Sequence, residues 1–533
     1  MLHPWASKKT LVALLAIMVW SFFLWRGIHV FRPGPNSAVF FNSDCAIPVL
    51  MSNDDRPVTL FNLYYYGVDR IGGWPFLVAQ VVRRSTGYRW SPQSLSTMQT
   101  SWLFIGALVI AGLARKDRMA VAVAFLISLC LHGETRYQIF TLAVPYAWQT
   151  TALLLSWYSL RRLFDQELGP QSFPSWKSAL WLFTTFFFSY LAVWMSIASI
   201  PFLLFLLGLE VFRAHLNGDR HRRTKWRRLF ITALIPILAA GIAERMQKLD
   251  YYRHSIRHYG FDFQTRFELD FGHLSNNLTA QMANLIRLSW WPFHLLATLV
   301  MLAVIGVLAY ALLKKRSELL GRLKALFIDD TVILIIGTFG IALINLALTV
   351  MVSHVRANLY EDRYLILTSL FGPTSAILIL FLVFNAFAQR SSIGKFGKPV
   401  LVLAGVALLF VKFPLGSPRP DYQHVQGIAV NLAQKSPRAI LLGGYWGTYV
   451  FAALQPVDTM TPVPLDKMEN RMPWTPEMVR QANQVVVEYR YSRLEEAGQP
   501  PTQLSVYGGS LRLADPKWYE AGDFAFALYV KDN

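Results

Sequence analysis

A series of long apolar segments, separated by short polar ones, constrains this chain more than any other feature. A helix needs about 20 predominantly apolar residues to cross a hydrocarbon core of roughly 30 Å. Charged residues make up only 16% of the chain, below the quarter or so typical of soluble domains. The pattern therefore predicts a mainly α polytopic membrane protein with about 11 transmembrane helices. The segments lie at residues 10–28, 99–114, 119–132, 139–160, 178–195, 196–213, 229–246, 291–313, 331–352, 364–389 and 399–413.

Basic residues alternate with these spans and predict their orientation. Cytoplasmic loops of membrane proteins carry an excess of lysine and arginine, so the N-terminus is expected inside and, with an odd number of spans, the C-terminus outside. The net charge of +19 is then a topology signal beside anionic membrane lipids, and no nucleic-acid partner is predicted. The basic clusters are Arg115-Lys116, Arg161-Arg162, residues 220–228 (RHRRTKWRR), residues 314–316, and Arg390 with Lys395 and Lys398.

Composition divides the chain into two parts. Residues 1–413 hold every predicted span and form the transmembrane domain, which includes a long outer loop at 30–99. Residues 414–533 alternate short apolar runs with Gly, Pro and Asp turns, which is typical of a small α/β domain. Topology places that domain outside the membrane. Its predicted elements are a helix at 423–434 and strands at 439–442, 484–489, 504–507, 510–513 and 524–530.

The outer loop predicts two short amphipathic helices at the membrane surface. Ser43 or Asp44 suits the N-terminal cap of the first helix, whose apolar residues recur on one face. The second, at residues 75–84, begins at a proline and carries aromatic side chains suited to headgroup depth. The two helices would hold Asp44 against the membrane.

Polar and charged residues gather where the spans meet the outer side, and we expect them to face one cavity. Ionisable groups at membrane depth are costly and usually functional, whereas a charge in an exposed loop costs nothing. Asp44 is the preferred catalytic residue because it begins a helix at headgroup level, while Asp54 and Asp55 also fit ordinary turn chemistry. The set comprises Asp44, Asp54, Asp55, Asp69, Arg70, His132, Glu134, Arg136, His354, Arg356, Glu361, Asp362, Arg363 and Tyr364.

Familiar cofactor and metal motifs are missing from the sequence. There is no HExxH or CxxC spacing, and no phosphate-binding glycine loop or nucleophile elbow on a suitable strand–helix unit. His132 and Glu134 are too close together in sequence to indicate a metal site by themselves. Two cysteines, Cys45 and Cys130, exclude a disulfide scaffold and predict two packed thiols.

Two short stretches resemble a known family. The first is the acidic start of the outer loop, Asn42-Ser43-Asp44, and the second is EDRYL at residues 361–365, which opens a late span. Together with the topology they resemble the GT-C superfamily of polyprenyl-phosphate-sugar-dependent glycosyltransferases, in the group of protein mannosyltransferases and lipid A aminoarabinose transferases. One departure is that the outer loop has no unambiguous Asp-x-Asp. The base therefore remains open between Asp44 and the pair Asp54-Asp55, and so does the need for a divalent metal.

The resemblance implies an inverting transfer of a sugar from a polyprenyl phosphate to an acceptor hydroxyl on the outer side of the membrane. An aspartate would take the acceptor's proton, and arginines would bind the departing phosphate. In order of preference these arginines are Arg363, Arg136, Arg70 and Arg356. The resemblance also implies a bacterial inner membrane, with the N-terminus cytoplasmic and the C-terminal domain periplasmic or extracellular. The acceptor would be a lipid, a glycan or a protein.

Two other classes of protein fit the same spans. A transporter or flippase of lipid-linked glycans would line a pathway with charges, but the sequence shows no inverted repeat and carries an outer domain that a carrier does not need. A polyprenyl-linked glycan ligase or polymerase would depend on outer arginines and histidines rather than on Asp44.

Overall fold

The computed structural model describes residues 43–56, 58, 63–65, 68–114, 117–131, 139, 141–142, 145–167, 176–217, 223–254, 267, 269–287, 292, 295–300, 302–303, 321, 327, 329–357, 359, 362–388, 420–455, 460–465, 474–490, 492, 494 and 499–532. Helices dominate up to residue 388. They are α1 (Ser43–Ser52), α2 (Trp74–Thr86), α3 (Pro92–Leu113), α4 (Arg118–Leu131), α5 (Tyr146–Glu167), α6 (Trp176–Met195), α7 (Ser199–Asn217), α8 (Arg223–His254), α9 (Phe271–Arg287), α10 (Asp330–Met351), α11 (Ser353–Ala357) and α12 (Ile366–Ala388). A hairpin of β1 (Tyr64–Tyr65) and β2 (Val68–Gly72) lies between α1 and α2.

Six of the described helices are long and apolar enough to cross a membrane, and the chain is an integral, multi-pass membrane protein. The apolar stretches are Pro92–Leu113, Trp176–Met195, Ser199–Leu216, Phe230–Asp250, Asp330–Met351 and Arg363–Phe384, with a shorter one at Arg118–Leu129. Two further predicted spans, at 10–28 and 399–413, lie outside the described residues, and the one at 291–313 is described only in part. The count of about 11 therefore stays a prediction.

The apolar run at 178–213 is two helices, as its length requires. The helix α6 ends at Met195 and α7 begins at Ser199. Ser199 Oγ donates to the Ala192 carbonyl at 2.9 Å and accepts from Gln149 Nε2 at 3.0 Å. Pro201 lies in the first turn of α7, where a proline needs no backbone donor. This small polar cluster links the end of α6 to the start of α7 and to α5.

A buried ionic network joins the helices at one end of the bundle. Glu210 of α7 is fully buried and accepts hydrogen bonds from Trp157 at 2.8 Å, Arg161 at 2.9 Å and Arg213 at 2.8 Å. Arg213 also binds Asp165 at 2.7 Å. A carboxylate can stay ionised in an apolar interior only with such partners. We call Trp157, Arg161, Asp165, Glu210 and Arg213 the ionic network.

The ionic network reaches two more helices. Arg161 donates to the Leu113 carbonyl at the end of α3 at 2.6 Å, and it lies 3.7 Å from Asp330 at the start of α10. The C-terminal ends of α3, α5 and α7 and the N-terminal end of α10 therefore lie on one side of the bundle. The alternation of basic clusters also predicts that these four helix ends lie on one side of the membrane, and it predicts that this side is the cytoplasmic one.

The segment that follows α1 in the chain folds back against the C-terminal end of that helix. Gln80 of α2 donates to the Met51 carbonyl at 2.6 Å. Asn53 donates to the Trp90 carbonyl at 2.7 Å and accepts from the Trp90 amide at 2.9 Å. The turn after α1 is thereby tied to the start of α3. Helices form at both places predicted in the outer loop, but α1 is not an amphipathic surface helix, because Cys45, Ile47 and Met51 are all fully buried. The helix α2 ends at Gly87 in the left-handed conformation that glycine favours.

The C-terminal domain is a mixed sheet with helices. Its elements are α13 (Pro420–Lys435), β3 (Ile440–Gly443), α14 (Tyr445–Ala453), β4 (Thr461–Pro464), α15 (Thr475–Gln481), β5 (Gln484–Glu488), β6 (Gln503–Val506), β7 (Gly509–Ala521) and β8 (Phe524–Lys531). The strand order is β4-β3-β5-β8-β7-β6, and β3 pairs in parallel with β4 and β5 while the remaining pairs are antiparallel. The small α/β fold predicted for this region is confirmed.

Packing places α1 directly against this domain. Buried side chains of α1, Cys45 and Ile47 among them, belong to one apolar cluster with Tyr445 and Tyr449 of α14. Cys45 Sγ also lies 3.1 Å from Thr141 Oγ1 and is a buried thiol, as predicted. The first outer helix is thus held between the membrane helices and the outer domain, which brings its carboxylates to the boundary of both.

Candidate functional site

Asp44 lies in the first turn of α1 and contacts the C-terminal domain. The hydroxyl of Tyr445 donates to Asp44 Oδ1 at 2.6 Å. Tyr445 itself is buried, and its ring packs edge-on against Tyr449 with the ring centroids 5.4 Å apart. Because the phenol is held by packing, the hydrogen bond fixes the direction of the carboxylate.

The position of Tyr445 is set by a tight turn between β3 and α14. Ser492 Oγ accepts a hydrogen bond from the Gly444 amide and donates to Glu488 Oε2 at 2.6 Å. Thr448 donates to the Gly444 carbonyl at 2.6 Å. A β-carbon on Gly443 would stand 3.1 Å from both Ser492 Oγ and Thr448 Oγ1, so the turn has little room for a side chain. The buried carboxylate of Glu488 therefore organises the start of α14 and, through it, Tyr445.

Asp54 is neutralised by an arginine two residues away. Arg56 forms a bidentate pair with it, Nε to Oδ1 and Nη2 to Oδ2, both at 2.8 Å. The Asp54 side chain is only 4% exposed. The Arg56 guanidinium lies 3.7 Å from the ring centroid of Trp474, a cation–π contact with the C-terminal domain. The Asp54 carboxylate therefore holds Arg56 in the turn after α1 and in contact with the C-terminal domain.

Asp55 differs from Asp54 in its exposure. Its side chain is 77% exposed, and it pairs with Arg83 of α2 at 2.7 Å. Asp44 lies at the start of α1 and Asp54 lies just beyond its end, and this ten-residue helix is about 15 Å long at 1.5 Å per residue. The three predicted carboxylates therefore do not converge on one point.

A cavity of about 500 Å³ opens between the turn after α1 and the C-terminal domain. We call it the interdomain cavity. Its size falls within the range of small-molecule sites. Neither Asp44 nor Arg363, both in the described part of the chain, is among its lining residues. Its polar lining consists of Asn53, Asp54, Asp55, Arg56, Arg89, Trp90, Ser91, Gln93, Gln426, Gln455 and Thr461.

Arg363 lies in a 3-10 turn, Asp362–Leu365, that leads into α12. Its guanidinium carbon stands 5.2 Å from the ring centroid of Tyr364, and Nη2 donates to the Tyr364 hydroxyl at 3.4 Å. Asn345 of α10 donates to the Tyr364 carbonyl at 3.0 Å. The turn predicted to bind phosphate is therefore anchored to the neighbouring helix, with the arginine and tyrosine side by side.

Only some of the remaining predicted site residues lie in the described part of the chain. Asp69 and Arg70 lie in β2, His354 and Arg356 in α11, and Asp362 in the 3-10 turn. His132, Glu134, Arg136 and Glu361 lie outside the described residues. Within the described ranges, no three His, Cys, Asp or Glu side chains come together as a metal-binding group.

Sequence reasoning missed Tyr445, which makes the contact to Asp44. Its only local signal is the sequence Gly443-Gly444-Tyr445 directly after a buried strand, a typical strand-to-helix turn. It also missed Gln455 and Trp474, which line or border the interdomain cavity.

A second buried polar cluster, also missed, joins the hairpin to α8. The Tyr64 hydroxyl donates to Glu244 Oε1 at 3.3 Å, and Lys248 pairs with the same oxygen at 3.4 Å. Burial first, and then the charge of Glu244, raises the pKa of the Tyr64 phenol, so it stays protonated as a donor. The cluster attaches the outer loop to a membrane helix.

Solved structures resemble the chain over most of its length. ArnT from Cupriavidus metallidurans in the apo state is 10% identical, with 98% of each chain covered and a TM-score of 0.43. The archaeal oligosaccharyltransferase AglB from Archaeoglobus fulgidus, in complex with an inhibitory peptide and a dolichol-phosphate, is 11% identical over 96% of this chain and 75% of its own, with a TM-score of 0.45. An apo oligosaccharyltransferase from Archaeoglobus fulgidus is 12% identical over 89% and 69%, with a TM-score of 0.43.

No family model and no curated protein matches the sequence. The chemistry of this chain must therefore be inferred from its own residues.

Proposed function

We propose that the protein is a membrane glycosyltransferase that moves a sugar from a polyprenyl-phosphate donor to an acceptor hydroxyl on the outer side of the membrane. Asp44 is the general base. The observation that carries the proposal is the hydrogen bond from Tyr445 to Asp44, which holds one carboxylate oxygen at the boundary between the membrane helices and the outer domain. A lipid-linked donor and a water-borne or membrane-borne acceptor can meet at such a boundary.

The bond changes balance within this arrangement. The acceptor oxygen forms a bond to the anomeric carbon, and the bond from that carbon to the phosphate oxygen breaks with inversion. The phosphate leaves with the electron pair, and the acceptor's proton passes to Asp44. A positioned carboxylate contributes roughly 10²–10⁴-fold to such a step. Tyr445 holds Oδ1, so Oδ2 is the oxygen that takes the proton.

The other predicted residues have supporting roles. Asp54 and Asp55 shape the turn after α1 through their pairs with Arg56 and Arg83. Arg363 is the preferred partner of the leaving phosphate, because a planar guanidinium can bind two phosphate oxygens at once. Arg136, Arg70 and Arg356 follow it in that order. The proposal includes a bacterial inner membrane as the location, with the C-terminal domain outside.

The test is transfer of labelled sugar in membranes that supply the acceptor, using a panel of polyprenyl-phosphate hexoses and pentoses. Asp44→Asn keeps the size of the side chain and its hydrogen bond from Tyr445 but cannot take a proton. Donor binding should persist while transfer falls by at least about a hundredfold. Asp270→Asn is the matched control, since the Asp270 side chain is 69% exposed and lies outside the interdomain cavity, and it should transfer at nearly the normal rate.

Two results would contradict the proposal. Near-normal transfer by Asp44→Asn, with activity abolished in Asp54→Asn or Asp55→Asn, would move the base to the acidic pair. Movement of an intact lipid-linked glycan across the membrane, with no sugar transferred from any donor, would identify a transporter instead.

A further inference from the structure

The interdomain cavity is separated from the proposed base by the length of α1. Its floor is the C-terminal end of that helix, with Asn53 and Asp54, while Asp44 lies at the other end, about 15 Å away at 1.5 Å per residue. Its opposite wall is formed by the end of α14 and the start of β4. A molecule in the cavity is therefore not at the reacting position, although it borders the same helix and the same domain.

The charges around the cavity cancel. Its lining holds two arginines, Arg56 and Arg89, and two aspartates, Asp54 and Asp55. Arg56 is bound in bidentate fashion by Asp54 and lies against Trp474. Charge-assisted hydrogen bonds from cations favour the binding of a phosphate or a carboxylate, and this lining carries no net positive charge. The occupant that fits is uncharged.

The remaining lining combines apolar side chains with amides and hydroxyls. The apolar part includes Val49, Leu50, Val430, Met460 and Pro462. The polar part includes the amides of Gln93, Gln426 and Gln455 and the hydroxyl of Thr461. An apolar wall with a few directed hydrogen-bonding groups is the usual lining of a small-molecule site. A sugar ring, with its C–H face and its hydroxyls, matches both parts.

Gln455 supplies a donor that the protein does not use. The residue is 6% exposed, and its Oε1 accepts from the Met460 amide at 2.6 Å. Because a backbone N–H can only donate, this bond identifies Oε1 as the oxygen and Nε2 as the nitrogen. The buried Nε2 has no hydrogen-bond partner among the described residues. An unpaired buried donor costs stability, and a ligand oxygen in the cavity would satisfy it.

We infer that the interdomain cavity binds a neutral sugar unit of the acceptor, at a distance from the hydroxyl that reacts. This inference rests on the proposed function only where it identifies the bound sugar as part of the acceptor. The binding itself does not require transfer. The site would favour acceptors that carry an uncharged sugar beyond the position where the new bond forms.

Binding can be measured on the full chain in nanodiscs by saturation-transfer difference NMR and titration. The probes are the methyl glycosides of glucose, galactose, mannose and N-acetylglucosamine, and inorganic phosphate serves as the charged comparison. Gln455→Glu keeps the acceptor for the Met460 amide but removes the donor, so it should weaken binding of the recognised glycoside about tenfold or more. Gln426→Glu changes an exposed lining position, so it should also weaken binding while leaving the fold intact.

Gln434→Glu is the matched control. It changes the same residue type on the same helix, α13, at an exposed position outside the cavity lining, and it should bind as the unmodified chain does. Asp44→Asn should also bind normally, so a failure of the proposed chemistry remains distinguishable from a failure of this site. Absence of binding to all four glycosides would overturn the inference. Tighter binding of phosphate, or binding unchanged in both Gln455→Glu and Gln426→Glu, would overturn it as well.

Discussion

Tyr445 donates a hydrogen bond to Asp44 at 2.6 Å and joins two residues that are 401 positions apart in the chain. One belongs to the first outer helix and the other begins a helix of the C-terminal domain. The outer domain thereby supplies a group that orients the proposed base. Its attachment is reinforced at the other end of α1, where Arg56 lies against Trp474. The C-terminal domain therefore contacts α1 at both of its ends.

Tyr445→Phe tests that coupling. The phenylalanine keeps the ring packed against Tyr449 but removes the hydrogen bond, so Asp44 loses its fixed direction. We expect the rate constant for transfer to fall about tenfold, since one hydrogen bond to a charged group is worth about 1.5–3 kcal/mol, while the KM for the donor stays the same. Tyr449→Phe removes a hydroxyl one turn further along the same helix and should leave the rate nearly normal. An equal loss in both variants would mean that packing, rather than orientation of Asp44, is disturbed.

Local sequence patterns predicted part of the structure. The helices α1 and α2 and most strands of the C-terminal domain fall where periodicity and turn residues indicated, although α1 is buried on nearly all sides. Elements that were not predicted include the hairpin of β1 and β2 and, in the C-terminal domain, α14, α15 and β4. The helix α14, YWGTYVFAA, is apolar on nearly all sides because it is buried between α1 and the sheet, so it shows no amphipathic period. The strand β4, TPVP, contains two prolines, which are tolerated there because it is the edge strand.

The candidate site was predictable only in its parts. Asp44 stood out because it begins a helix next to a membrane span. Its partner Tyr445 could not be found, because a hydrogen bond over such a separation depends on how two domains pack and leaves no local pattern. The pair Asp54-Asp55 was expected to face one cavity with Asp44, because all three follow the first predicted span on the same side of the membrane. Helix geometry instead places Asp54 at the far end of α1, within a turn of its own.

The ionic network should stabilise the helix bundle strongly. Glu210→Ala would leave Arg161 and Arg213 buried without their shared carboxylate, which costs about 3–5 kcal/mol for a buried pair. Asp55→Ala removes an ion pair whose carboxylate is largely exposed, and should cost about 1 kcal/mol or less. Denaturant unfolding in detergent, followed by helix content, compares the two. Similar losses for the two variants would show that the network is not held in a dry interior.

Two glycines of α10 make room for aromatic rings of neighbouring helices. A β-carbon on Gly340 would overlap the ring of Phe205 in α7, and one on Gly337 would overlap the ring of Trp157 in α5. Gly340→Ala should therefore destabilise the bundle by about 1–3 kcal/mol. Gly208→Ala in α7 is the control, because no atom lies within 4 Å of the added carbon, and alanine is the better helix former. Unfolding measurements that rank the two in the opposite order would contradict this packing.

Orientation in the membrane can be read with reporters. The basic clusters predict the inner side for the segment around His221 and the outer side for the C-terminus. An alkaline phosphatase fused after Asn533 should be active, and one inserted beside His221 should be inactive. The reverse pattern would place Asp44 on the cytoplasmic side and remove the lipid-linked donor from its reach.

Arg363 should bind the phosphate of the donor. Its turn is anchored by Asn345, so the guanidinium is presented from a fixed backbone. Arg363→Lys keeps the positive charge but loses the planar fork that binds two oxygens at once, and we expect donor affinity to fall about tenfold. The control is Arg480→Lys, which alters an exposed pair with Glu477 on α15 and should bind the donor normally. Affinity is measured by titrating a polyprenyl-phosphate sugar into the chain in nanodiscs. Unchanged donor affinity in Arg363→Ala would remove this residue from the donor site and transfer the role to Arg136 or Arg70.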